Sequence, residues 1–183
     1  MAKLVSKTYG DALFELAKQE GKIEEFAPQV ESVLEVFDLN RELIKLMEQP
    51  KIVKDEKIKV IEDIFTGKVA KEIVGLMVLL IEKSHYTDMV SVFEYFIEQV
   101  KEEKGIGIAR ITSATKLREE QKVQVEKRLL ETTNYTTFEM NFAVDESLIG
   151  GMVIRIGDRV VDSSIKTKLY GLSKELKNIQ LAI

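Results

Sequence analysis

The chain has no cysteine and no tryptophan, and only one histidine and two prolines in 183 residues. Without cysteine there is no disulfide framework, no thiolate nucleophile and no Cys-ligated zinc, which fits a reducing, intracellular compartment. The lone histidine, His85, has no imidazole partner for a metal centre. It also lacks the sequence context of a Ser-His-Asp triad, so it reads as a turn or helix-end residue. Long apolar runs are missing as well. The longest spans Leu76 to Ile81, whereas a membrane span needs about 18 residues or more. Met1 to Lys7 shows neither the apolar core of a secretory signal nor the Arg/Ser-rich character of a transit peptide. No direct membrane insertion is expected, and membrane association would come through a partner. A net charge of −4 is too mild for a protein that coats nucleic acid, which carries a strongly basic face.

Hydrophobic residues make up 45% of the chain and charged residues 32%, the balance of a folded globular protein. The length allows one large domain or two small ones. Up to residue 104 the periodicity is almost wholly helical. Val5, Tyr9, Ala12, Leu13 and Leu16 fall on one face of a first helix ended by Gly21. A second helix aligns Ile23, Phe26, Val30, Val33, Leu34 and Phe37. Asn40 is placed to cap a short third helix with Leu43, Ile44 and Met47, closed by Pro50. A fourth runs from about Lys54 to Phe65, with Ile58, Ile61 and Phe65 inward and a mixed Lys/Glu/Asp outer face. A fifth, about Val69 to Lys83, is apolar nearly all round, as expected of a helix that is central or covered by a second party. A sixth repeats Met89, Val92, Phe93, Phe96, Ile97 and Val100 at three- and four-residue steps. The short connections predict an antiparallel six-helix bundle over 1–104.

Gly105-Ile106-Gly107 marks a change of character and reads as a flexible junction. Beyond it, Ile106 to Ala114 predicts a strand and Glu119 to Leu130 a helix. Phe138, Met140, Phe142 and Val144 alternate with polar residues as in a half-buried strand, and Met152, Ile154 and Ile156 do the same in the next. Gly157-Asp158 suits a two-residue hairpin with positive φ at its first position. Asp162 or Ser163 is placed to cap a last helix striped by Ile165, Leu169, Leu172 and Leu176. The fold class is mainly α: a six-helix bundle followed by a small mixed α/β domain over 105–183.

Catalytic signals are weak. The Gly105-Ile106-Gly107 pair follows a helix and precedes a strand, the reverse of a dinucleotide loop, and no G-x-x-x-x-G-K-[ST] is present. Asp145, Glu146, Asp158 and Asp162 crowd one stretch, yet each suits a turn or cap. Gly150-Gly151 opens a strand and implies close backbone approach, with the last helix packed tightly on the hairpin. No cofactor and no metal site is expected. What stands out is surface. The first and fifth helices are more apolar than one small core needs. Tyr9, Ala12 and Leu16 would line one side of a groove, Leu76, Leu79 and Lys83 the other, and small residues such as Ala12 and Gly75 would let a visiting helix come close. Read as ordinary core, the same residues, Leu13 among them, need no visitor.

Asp145-Glu146-Ser147-Leu148-Ile149-Gly150-Gly151 through Gly157-Asp158-Arg159-Val160-Val161-Asp162-Ser163-Ser164-Ile165 resembles the D-x-x-[IL]-I-G-G-x-x-[IV]-x-x-G-D-x-[VI]-[VIL]-D-x-S-[VI] signature of the delta subunit of F-type ATP synthases, whose mitochondrial relative is the oligomycin-sensitivity-conferring protein. Tyr9-Gly10-Asp11-Ala12-Leu13-Phe14-Glu15-Leu16-Ala17 resembles that family's Y-A-x-A-L-F-x-x-A. Glu48-Gln49-Pro50-Lys51-Ile52-Val53, with Lys57 following, is similar to its middle motif. The chain departs from the pattern at Gly10, Gly75-Leu76, His85-Tyr86 and Arg118.

The resemblance implies a non-catalytic stator subunit, monomeric within its complex and peripheral on the cytoplasmic face of a bacterial membrane. Its N-terminal domain would bind N-terminal segments of the alpha subunits, with a helix received between the first and fifth helices at Tyr9, Ala12, Leu13, Leu16, Leu76, Leu79 and Lys83. Its C-terminal domain, built around Gly150, Gly151, Gly157, Asp158, Asp162 and Ser164, would hold the C-terminal end of the b-subunit dimer. Two rivals go with this expectation: a helix-binding scaffold of some other complex, and an enzyme using the Asp145–Asp162 carboxylates.

Overall fold

The structure, a computed structural model, describes residues 2–180, with side chains described from Leu4 to Leu176. The chain divides into two compact units, with the division after Val100.

The first unit contains α1 (Ala2–Gln19), α2 (Ile23–Leu39), α3 (Arg41–Glu48), α4 (Lys54–Phe65), α5 (Lys71–Glu82) and most of α6 (Met89–Glu103). One apolar core joins them. The six α6 positions picked out by periodicity are all buried. Helix α1 presents a slightly different face from the one expected. Leu13, Phe14 and Ala17 are in the core, with Ser6 buried beside them, whereas Ala12 and Leu16 face outward. Phe14 meets Phe96 edge to face, with centroids 6.5 Å apart. Gly10 sits where α1 crosses α6: a Cβ there would lie 2.5 Å from Tyr95 Cδ1, so this departure from alanine makes room for a ring.

Two polar side chains act differently from expectation. Asn40 does not cap α3. Its Nδ2 donates to Val36 O at 2.8 Å, so it ties off the end of α2 instead. Lys57, on a face expected to be solvated, is 3% exposed. Its Nζ donates to Met47 O at the end of α3 and stands 4.1 Å from the Tyr86 ring centroid. A lysine is well suited to close a helix C-terminus, where carbonyls lack partners and the dipole is negative. Tyr86 belongs to a 3-10 turn, Tyr86–Asp88, that enters α6 and gave no periodic signal.

The second unit contains β1 (Ile106–Ser113), α7 (Glu119–Thr132), β2 (Thr137–Val144), β3 (Met152–Ile156), β4 (Arg159–Asp162) and α8 (Ile165–Gln180). The sheet order is β2-β1-β3-β4. β1 and β2 run parallel across the α7 crossover, and β3 and β4 are antiparallel additions. The register puts Ala109, Ile111, Phe138, Met140, Ile154 and Ile156 on one face, and Leu129 of α7 packs on it. The burial thins along β2: Phe138 is enclosed, but Phe142 and Val144 are exposed.

Gly105 and Gly107 are both tied to the second unit. Gly105 O accepts from Thr136 N–H at 2.8 Å and from Thr136 Oγ1 at 3.0 Å. Gly107 lies under the Phe138 ring, where a Cβ would come within 2.3 Å of it. Gly107 lies in β1, and Gly105 forms the turn that leads into it. At the start of α7, Gln121 Oε1 accepts from Arg118 N–H at 2.9 Å and ties the first turn to the residue before it.

Candidate functional site

Helices α1 and α5 lie side by side in the first unit. Their sequence-predicted groove residues separate into two layers. Leu13 (3% exposed) and Leu76 (9%) are core and offer a visitor almost no surface. Leu16 and Leu79 keep just over a third of their surface, Ala12 and Lys83 are exposed, and Tyr9 is half-buried. Gly75 opens onto free space, with nothing near a Cβ position. Of the two alternatives for α5, central or covered by a second party, the chain itself encloses only part of the helix: Ile73, Leu76, Met77, Leu80 and Ile81 are enclosed, while Gly75 and Leu79 face out.

Sequence reasoning missed what His85 does here. Its backbone N–H ends α5 on Leu80 O at 2.7 Å, which is the expected turn role. Its ring also stands 6.0 Å from Tyr9, at an angle of 53°, and its Nδ1 lies 3.6 Å from Asp88 Oδ2. The histidine thus packs against a groove residue of α1. The signal was absent because the contact joins positions 76 residues apart (85 − 9).

In the second unit the glycine-rich motif builds the start of α8. Gly151 has φ +77°, and a Cβ on it would lie 2.4 Å from Ser163 O. Gly150 O accepts from Ile165 N–H at 2.9 Å, and Met152 O accepts from Ser163 N–H at 3.0 Å. Ser164, fully enclosed, caps α8 by accepting from Thr167 N–H at 3.3 Å. Asp162 Oδ1 accepts from Ser164 N–H at 2.8 Å and Oδ2 from Thr167 Oγ1 at 2.7 Å. Gly157, with φ +54°, and Asp158 form the two-residue loop between Ile156 and Arg159. Asp145 accepts from Ser147 N–H at 2.9 Å. The carboxylates in this stretch therefore serve turns and a cap, and among the described residues no group of acidic or histidine side chains converges as a metal site.

Hydrogen bonds from Ser164, and then from Thr167, hold the Asp162 carboxyl below the usual carboxylate range. A depressed native pKa stabilises the fold above the unfolded-state value of about 3.9, and that contribution disappears as pH falls through the lower native value. Asp162→Asn keeps an accepting oxygen without the charge. It should lower the urea midpoint at pH 6, and the gap to the unmutated chain should close near pH 3, within the window of about pH 4 downward set by those values. A gap that is the same at both pH values would remove the charge from the cap.

The stripe on α8 departs from expectation. The start of the helix packs against Gly150 and the 3-10 turn Glu146–Leu148. Ile165, Leu169, Leu172 and Leu176 are between 42% and 64% exposed. An apolar row of this length at helical spacing, left open, is the mark of a surface that another chain covers.

A family model described as "ATP synthase delta (OSCP) subunit" matches residues 5–176. This chain belongs to the ATP synthase delta (OSCP) subunit family. A protein named ATP synthase subunit delta from Lachnoclostridium phytofermentans is 49% identical over 181 residues, covering 99% of this chain and 100% of the relative. One of the same name from Brevibacillus brevis is 32% identical, over 92% and 96% of the two chains. The fold is similar to that of a chain in a Toxoplasma gondii mitochondrial ATP synthase hexamer, with a TM-score of 0.77 at 20% identity over 93% and 96% of the two chains. As a member of the delta family, the chain is a non-catalytic subunit of the peripheral stalk of F-type ATP synthase. Family membership thus removes the enzyme reading of the Asp145–Asp162 stretch, in agreement with its turn and cap geometry.

Proposed function

We propose that the two units are separate grips. The first, working as a six-helix bundle, receives an N-terminal helix of an alpha subunit in the groove over α1 and α5. The second holds the C-terminal end of the b-subunit dimer along α8. The chain would thereby join the peripheral stalk to the catalytic head on the cytoplasmic face of a bacterial membrane, and keep the head from turning with the rotor.

The observation that carries this reading is that each unit leaves apolar side chains open in a row: Leu16 and Leu79 over α1 and α5, whose other faces join the first core, and Ile165, Leu169, Leu172 and Leu176 along α8, no described residue of which joins the second core. In the groove, Tyr9, Ala12, Leu16 and Leu79 form the contact layer, with Leu13 and Leu76 beneath it as support. Lys83 is placed for a carboxylate or helix C-terminus on the visitor. Two moderate contacts on one polypeptide hold better than either alone, because release of one leaves the other tethered at high effective concentration. That suits a joint loaded by torque.

The first grip is tested with Leu79→Glu. The side chain is more than a third exposed in the free chain, so the charge should be tolerated there and be penalised only when a visitor removes water. Affinity for isolated catalytic heads should fall about tenfold or more, the effect of losing a buried interface contact. Thermal stability should stay within about 0.5 kcal/mol of the original, as for ordinary surface changes. Unchanged affinity would take Leu79 out of the interface.

A further inference from the structure

Ile149 stands in a backbone conformation that its own side chain opposes. Its φ is +66°, in the left-handed region, where a β-branched residue crowds the neighbouring backbone. The turn itself is required. Ile149 N–H closes the 3-10 turn onto Glu146 O at 3.0 Å, and the next two residues then pass beneath the start of α8. Glycine would make this turn without strain. An isoleucine at such a place is expected to bury its side chain in compensation, yet Ile149 is 64% exposed. Inside this chain the side chain brings strain and little packing.

Its surroundings indicate where the compensation lies. The following residue, Gly150, is in contact range of Ile165, whose Cδ1 would be 2.5 Å from a Cβ on that glycine. Ile165 is the first member of the α8 stripe. Lys166 Nζ reaches Ser147 Oγ at 3.2 Å, so the lysine also stands over this turn. At 100° per residue, Lys166 and Lys168 border the stripe on opposite sides.

We infer that Ile149 is an anchor for the helix that covers α8. Its side chain extends the row Ile165, Leu169, Leu172 and Leu176 past the N-terminus of α8 and buries against the visitor. The strain of the free chain is accepted because the conformation aims the side chain out of the turn. The occupant is an amphipathic helix of the peripheral stalk. Steps of four, three and four residues keep the stripe on one face of α8, along which a single helix can pack, and the two flanking lysines favour carboxylates beside its apolar face. This inference rests on the reading of α8 given above.

The test titrates the full-length chain with the soluble part of its cognate b-subunit dimer and follows thermal unfolding in parallel. Ile149→Ala and Ile149→Gly should each bind about tenfold more weakly, as for loss of an interface anchor. Ile149→Gly should also unfold at a higher temperature than the original chain, because the strained side chain is gone. Leu172→Asp, the control for the α8 reading, should lose binding too. If Leu172→Asp fails to bind while Ile149→Ala binds normally, the anchor is overturned and the α8 reading stands. If Leu172→Asp binds normally, both fall. If Ile149→Gly binds weakly and unfolds at a lower temperature, Ile149 is a support of the turn, and the inference is again overturned.

Discussion

Gly151→Ala is expected to lift the start of α8 from the sheet and to destabilise the second unit by about 2–5 kcal/mol, the sum of a left-handed conformation and an overpacked contact. Both terms come from the same carbon. The φ of +77° disfavours any L side chain, and the added Cβ would lie 2.4 Å from Ser163 O and 3.1 Å from Ser163 C and Ser164 Cα. All three are backbone atoms and cannot rotate aside. Relief requires moving residues 163–165. That motion breaks the bonds from Ser163 N–H and Oγ to Met152 O and from Ile165 N–H to Gly150 O. Amide exchange should accelerate at Ser163, Ile165 and the first turn of α8 and stay slow through α6. Gly157→Ala provides the comparison. Gly157 also has a positive φ, but its Cβ position is open, so only the conformational part, about 1–2 kcal/mol, applies. Equal effects from the two substitutions would show that the contact with Ser163 contributes nothing.

Leu172→Asp should abolish most binding to the b-subunit dimer, by about a hundredfold or more, while leaving the fold intact. Leu172 is 56% exposed in the middle of the stripe. A carboxylate there remains hydrated in the free chain. When a visiting helix covers it, the carboxylate must be desolvated without a partner, and the leucine surface that would have been buried is lost. A hundredfold change corresponds to about 2.7 kcal/mol, within reach of one unpaired buried polar group plus one lost apolar contact. Tyr170→Asp is the matched control. Tyr170 is 75% exposed but lies well off the stripe at 100° per residue, so it should bind nearly as the original does. Similar losses from both would mean that charge on α8 matters and the stripe does not.

Much of the fold was legible because single elements carried their own pattern. The six-position repeat of α6, the alternation of Met152, Ile154 and Ile156 in β3 and the Gly157 turn are local properties, and the structure keeps all of them. The mistakes arose where a local pattern admits more than one partner. The apolar arc of α1 is broad, so periodicity could not decide that Phe14 and Ala17 turn inward and Ala12 and Leu16 outward. Asn40 lies between two helices and serves the earlier one. Lys57 has the composition of a surface residue, and only the end of α3 and the Tyr86 ring make a place for its amine. Gly107 gave no sign of its packing role, because the ring that needs the missing Cβ, Phe138, comes 31 residues later (138 − 107). The α8 stripe teaches the most. Periodicity reveals an apolar face but not its cover; packing on the hairpin was expected, and the row is instead left open.

The central claim is that one chain carries two independent grips. It is tested most directly by titrating Leu79→Glu and Leu172→Asp, each in the full-length chain, against catalytic heads and against the soluble b-subunit dimer. The account predicts a crossed result: Leu79→Glu loses the heads and keeps the dimer, while Leu172→Asp loses the dimer and keeps the heads. Loss of both ligands by either substitution, or of neither by both, would contradict it.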